Sequence, residues 1–213
     1  MIIYSPLDGE ALTSAVRSRP RHCFLMTQLG GDIPDGIQTI RAAVTRLCQD
    51  ADYDVIDARA QVTGGDFLLK IWKLIASTPC CVAVGHEQIP SSTQLNIYYE
   101  LGVAQALGKE TLLVKSPRAE VPSDLVRTEY VAFDDDFDTG FRKYLNSLQE
   151  RADHYELVAE QLERNPVLAL DYLKRAFLIT GDDRFRASAR ALIGREGLDA
   201  RAKNSVERLA AAF

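Results

Sequence analysis

Between residues 22 and 133 the chain alternates short, continuous apolar runs with segments whose apolar residues recur every three or four positions. His22–Thr27, Tyr53–Asp57, Pro79–Gly85, Thr111–Val114 and Tyr130–Phe133 are the continuous runs. They read as strands, the first of them, His22–Thr27, as one buried on both faces. Between them, Ile37, Ile40, Val44 and Leu47 predict a helix over 35–49, capped by Asp35. Phe67, Leu68, Ile71, Leu74 and Ile75 predict a second helix, opened by Asp66. Leu101, Val103, Ala104 and Leu107 predict a third, starting near Gln94. A further short helix is expected from Asp8 to about Arg19, stopped by Pro20.

Strand–helix alternation of this kind implies a parallel sheet covered by helices on both faces. The expected fold is α/β: a five-stranded, parallel, doubly wound, flavodoxin-like sheet over residues 1–136. Right-handed crossovers place the loops at 28–35, 58–66, 85–94 and 116–124 on one edge of that sheet. After Asp134-Asp135-Asp136 the strand-like runs stop. Residues 137–213 read as an all-helical appendage. Phe141, Tyr144, Leu145 and Leu148 form one stripe, and Val167, Leu170, Leu173, Phe177 and Leu178 another. Asn165-Pro166 opens the second and Gly181 closes it. Two more helices are expected at about 183–194 and 198–211.

Composition narrows the function classes. The 213 residues carry a formal net charge of −5, which argues against a surface for polymeric nucleic acid. It does not argue against a nucleotide, whose few phosphates backbone N–H groups at a helix start suffice to hold. No apolar run approaches the ~20 residues that span a bilayer, so no membrane partner is expected and the cytoplasm is the expected compartment. Cys23, Cys48, Cys80 and Cys81 lie in or beside apolar runs without metal-ligand spacing. They read as buried thiols. Neither a metal nor a resident cofactor is expected; NAD or a nucleotide enters as a possible substrate.

The densest candidate chemistry is the run from Gln94 to Lys109. It sets an acid, Glu100, among apolar neighbours and follows it two residues later with Gly102. A helical glycine costs about 1 kcal/mol against alanine, so a close neighbour is expected there. The run resembles the nucleoside 2-deoxyribosyltransferase-like superfamily, related to the TIR-domain NAD hydrolases. Many members carry Asn-Pro-Asn-x-x-Tyr-Glu-x-Gly-x-Ala-x-Ala-x-Gly-Lys. Asn96, Tyr99, Glu100, Gly102, Ala104, Ala106, Gly108 and Lys109 match, while Gln94 and Leu95 replace the first asparagine and the proline. Pro122-Ser123-Asp124-Leu125 resembles the family's turn before the last strand. The resemblance covers about residues 21–133.

The resemblance implies cleavage or transfer of an N-glycosidic bond of a nucleotide, nucleoside or NAD. Glu100 would be the nucleophile or the stabiliser of an oxocarbenium-like state. The family's aspartate six residues before that glutamate is Gln94 here. This departure weakens deoxyribosyl transfer and favours hydrolysis or binding. Asp57 and His86 are the remaining acid–base candidates at strand ends. Thr27, Gln28, Gly30, Gly31, Arg59, Gly65, Gln94, Asn96 and Tyr99 are the substrate-binding candidates. The alternative is a nucleotide-sensing TIR-like module with little or no turnover, signalling through its helical tail. A homo-oligomer is expected, with the C-terminal helices as one route to it, and a third reading is an interaction scaffold whose helical tail dimerises.

Overall fold

The computed structural model describes residues 4–10, 16–61, 66–125, 129–162, 164–193, 204, 207, 210 and 213. The chain divides into two compact units, one spanning His22–Asn146, the other Met1–Arg21 with Ser147–Phe213.

In the first unit the strands are β1 (His22–Met26), β2 (Asp54–Ile56), β3 (Cys80–Gly85), β4 (Glu110–Lys115) and β5 (Tyr130–Ala132). They form one sheet in the order β2-β1-β3-β4-β5. Every pairing is parallel, with Cys23 opposite both Val55 and Cys80, and Val82 opposite Leu112. This is the doubly wound, flavodoxin-like order. All six residues of β3 are buried, as a central strand covered on both faces requires. The edge strands β2 and β5 are three residues each and partly exposed.

Helices α1 (Asp35–Asp50), α2 (Phe67–Ser77) and α3 (Ser91–Ala106) connect the strands. α1 buries Ile37, Ile40, Val44 and Leu47, the face its periodicity predicts. Its cap differs from expectation: Pro34 is the N-cap and Asp35 lies inside the first turn, where a carboxylate still favours the helix dipole. Asp66 does cap α2, accepting from the Leu69 N–H at 3.2 Å. α2 buries Ile71, Leu74 and Ile75, while Phe67, expected inward, is 45% exposed at the first turn. Residues 137–146, the start of α4 (Phe137–Gln161), bring Phe137, Phe141, Tyr144 and Leu145 into burial. The compact unit therefore runs past the composition change at 136.

The second unit holds the rest of α4, with α5 (Pro166–Thr180) and α6 (Arg184–Ile193). Asn165 caps α5 by accepting from the Leu168 N–H, and Gly181 ends it in the left-handed region at φ 72°. Leu170, Leu173, Phe177 and Leu178 are buried, whereas Val167 at the first turn is 36% exposed. The helix expected at 8–19 is not found at its described positions. Residues 4–10 instead turn tightly, with the Gly9 N–H donating to the Ser5 carbonyl at 3.1 Å. Most of the helix expected at 198–211 lies outside the described residues; positions 204, 207 and 210 are helical. Among the described residues no helix is long and apolar enough to cross a membrane.

Candidate functional site at the rim of the sheet

The order β2-β1-β3 means that the chain leaves β1 toward one edge and leaves β3 toward the other. The loops after β1 and β3 therefore diverge, opening a crevice beyond their carboxyl ends where open α/β sheets bind ligands. Thr27 and Gln28 follow β1 at that rim, at 5% and 6% exposure, and line neither of the two crevices described below. Gln28 Nε2 donates to the carbonyls of Gly30 at 3.0 Å and Asp32 at 3.4 Å. Both partners are acceptors, which fixes the amide's orientation. Gln28 Oε1 and Thr27 Oγ1 are buried without a hydrogen-bond partner among the described residues. Buried polar atoms are rarely left so.

From β3, His86 meets the start of α1. Its Nδ1 accepts from the Gln88 N–H at 3.1 Å, placing the neutral ring's proton on Nε2. That edge of the ring faces Gly36, whose missing side chain makes the approach possible.

One crevice, of about 790 Å³, opens beside α1 and is lined by Gly31, Asp32, Gln38, Arg41, Arg46 and Arg59 among others. Arg41 is fixed on two sides: one guanidinium nitrogen donates to Asp57 Oδ2 at 2.7 Å, another to the Gln28 carbonyl at 3.3 Å. Asp57 Oδ1 accepts from the Arg59 N–H at 3.0 Å. The carboxylate read from sequence as a second acid is thus engaged through both oxygens. Gly31 adopts φ 74°, the left-handed region where glycine is favoured. Gly30 contributes its carbonyl to Gln28, and Gly65 lies outside the described residues.

A second crevice, of about 550 Å³, is lined by His86, Glu87, Gln94, Tyr98, Arg118 and Glu120 among others. The four rim loops therefore shape two crevices. Gln94 Nε2 donates to the Tyr98 hydroxyl at 2.5 Å, and that hydroxyl donates to the Glu120 carbonyl at 3.0 Å. The Ser116 hydroxyl donates to Glu87 Oε2 and holds that carboxyl below its usual pKa.

Glu100 lies elsewhere on α3. Six residues advance a helix about 9 Å and rotate it about 240° from Gln94, whereas Tyr98 stays on the face of Gln94. Gln94 and Tyr98 stand over Gly85, the last residue of β3. The Glu100 charge instead acts on Cys81 near the start of β3, a thiol that burial pushes up to about 12. Glu100 is half-buried and makes no hydrogen bond or ion pair among the described residues. Desolvation raises its pKa to about 7. It lines neither crevice, and neither do Asn96 and Tyr99, which are exposed. Outside its own helix backbone, nothing among the described residues lies within 4 Å of a Cβ built at Gly102.

Sequence reading missed Arg41 and Tyr98. The four-residue spacing from Gln94 could have found Tyr98. No local signal joins Arg41 to Asp57, which lie on different elements. Among the described residues no three His, Cys, Asp or Glu side chains assemble as metal ligands.

No protein-family model and no curated protein matches the chain. Among solved structures, a 2-deoxyribosyltransferase from the psychrotolerant bacterium Bacillus psychrosaccharolyticus is similar at 15% identity and a TM-score of 0.41. The likeness covers 56% of this chain and 90% of that one. It is a distant likeness of fold.

Proposed function

We propose that the α/β unit recognises a nucleotide or nucleoside at the carboxyl rim of its sheet, between the loops that follow β1 and β3. The observation that carries this reading is the pair of buried, unpartnered polar atoms, Thr27 Oγ1 and Gln28 Oε1, at the point where the strand order reverses. A donor–acceptor pair of this kind suits a ribose hydroxyl or the edge of a base. Gln94 and the Tyr98 hydroxyl supply further hydrogen-bonding groups, beside Glu87 and Glu120 in the same lining.

A second reading, cleavage or transfer of an N-glycosidic bond by Glu100, is favoured by one specific feature. Glu100 is a half-buried carboxyl with no described cation beside it and a pKa of about 7. Perturbed carboxyls of this kind are enriched where chemistry occurs. About half of such a group is ionised at neutral pH, the form that attacks or stabilises an anomeric carbon.

The two readings part in one experiment. The full chain is incubated with the common ribonucleosides, their 5′-monophosphates and NAD. Binding is followed by thermal shift and base release by chromatography. Stabilisation without free base supports recognition alone. Free base that disappears in Glu100→Gln supports the chemical reading. Neither stabilisation nor release across the set overturns both.

A further inference from the structure

We infer that the crevice beside α1 is a subsite for a phosphate group, held by the guanidinium groups of Arg59 and Arg41; this rests on the rim-binding reading and narrows its ligand to a phosphorylated nucleoside. The chain as a whole is acidic, at −5. This crevice gathers three arginines against one carboxylate, Asp32, in its lining, and carboxylates outside the lining pair two of the three.

The three arginines are not equivalent. Arg46 is neutralised by Asp138 at 2.8 Å, with Asp50 at 3.9 Å. Arg41 is paired with Asp57, and both side chains are only 19% exposed. Arg59 has its backbone N–H fixed by the same Asp57, which anchors where its side chain begins. Its guanidinium has no hydrogen bond or ion pair among the described residues. The two cations stand near enough that Arg59, after burial, is a cause of the lowered pKa of Arg41. A phosphate between them would relieve that repulsion and accept from the guanidinium fork of Arg59.

The neighbouring backbone is built rather than loose. Gln28 ties down the turn at Gly30–Asp32 through its amide nitrogen and, through its own carbonyl, receives Arg41. The turn and one of the two cations thus share a single buried anchor. Gly31, in the left-handed conformation, lines the crevice without a side chain to obstruct it.

The test is calorimetric titration of the full chain and of Arg59→Gln with the four ribonucleosides, their 5′-monophosphates and inorganic pyrophosphate. Arg59→Gln removes no side-chain hydrogen bond or ion pair among the described residues, and its melting temperature checks that it folds. The expected result is a monophosphate that binds about tenfold or more tightly than its nucleoside, as charge-assisted hydrogen bonds imply. Arg59→Gln should shrink that gap about tenfold and abolish pyrophosphate binding. Nucleoside and monophosphate binding alike, or a gap that survives Arg59→Gln, would overturn the subsite and leave the rim reading standing. Pyrophosphate binding lost in Arg59→Gln, with no nucleoside or monophosphate bound, would overturn the rim reading and leave an anion subsite. No binding of any probe would overturn both.

Discussion

Gly36 and His86 are packed so closely that a Cβ built on Gly36 would lie 2.7 Å from His86 Nε2. The first turn of α1 and the loop after β3 thereby meet through an imidazole edge and a bare α-carbon. His86 is 8% exposed and its other nitrogen is bound to the Gln88 N–H, so the ring has little room to retreat. Alanine at 36 would gain up to about 1 kcal/mol of helix propensity and lose about 1–3 kcal/mol to overpacking. We expect Gly36→Ala to lower stability by about 1 kcal/mol in urea unfolding. Adding His86→Ala should recover most of that loss. Additive effects in the double variant would refute the contact.

The Glu100 carboxyl should make stability fall as pH rises. Its folded pKa of about 7 stands above the ordinary glutamate value of 4.5, so between those values the folded chain binds more protons than the unfolded one. Stability then decreases with pH across that window and is flat in this contribution above it. The gap between those values corresponds to roughly 3 kcal/mol. Glu100→Gln should therefore be about that much more stable than the parent at pH 8. Below pH 4.5 the two should be nearly equal. Unfolding midpoints at both ends of the window measure this, and an unchanged difference would remove desolvation as the state of Glu100.

The ion pair between Arg41 and Asp57 should be structural as well as electrostatic. Asp57→Asn leaves a largely buried guanidinium without its counter-charge, at a cost of about 1–3 kcal/mol for a pair that retains some solvent. Arg41→Met with Asp57→Asn should cost less than the sum of the single changes. A double-mutant cycle by denaturant unfolding gives the coupling, and a value near zero would show that the pair is idle.

In the helical unit, Asn165 accepts from the Leu168 N–H at 3.2 Å and supplies the cap of α5. Asn165→Ala should cost about 1 kcal/mol, and Asn165→Ser or Asn165→Asp should restore most of it. Thermal unfolding of the full chain is the measurement. Equal melting temperatures for Asn165→Ala and the parent would mean the cap contributes nothing.

Which elements form was legible along the chain because their causes are local. The apolar run Cys80–Gly85 has no polar position to give water, so it is a central strand wherever it lies. Asp66 and Asn165 sit at helix starts, and Gly181 at a helix end, for reasons contained within a few residues. At Asp8 and Pro20 the helix-end signals are local and present, yet the described positions 8–10 and 16–19 are not helical. What only the tertiary structure decided is which groups share a crevice. Gln94 and Glu100 are six residues apart on one helix, yet helical rotation sends one to the rim and the other away from both crevices. Arg41 and Asp57 are joined across two elements, and Gly36 is brought against His86, because the crossovers of a parallel sheet bring distant loops to one edge. Local sequence sets hydrogen bonds and burial periods within a segment; only the assembled sheet sets distances between segments.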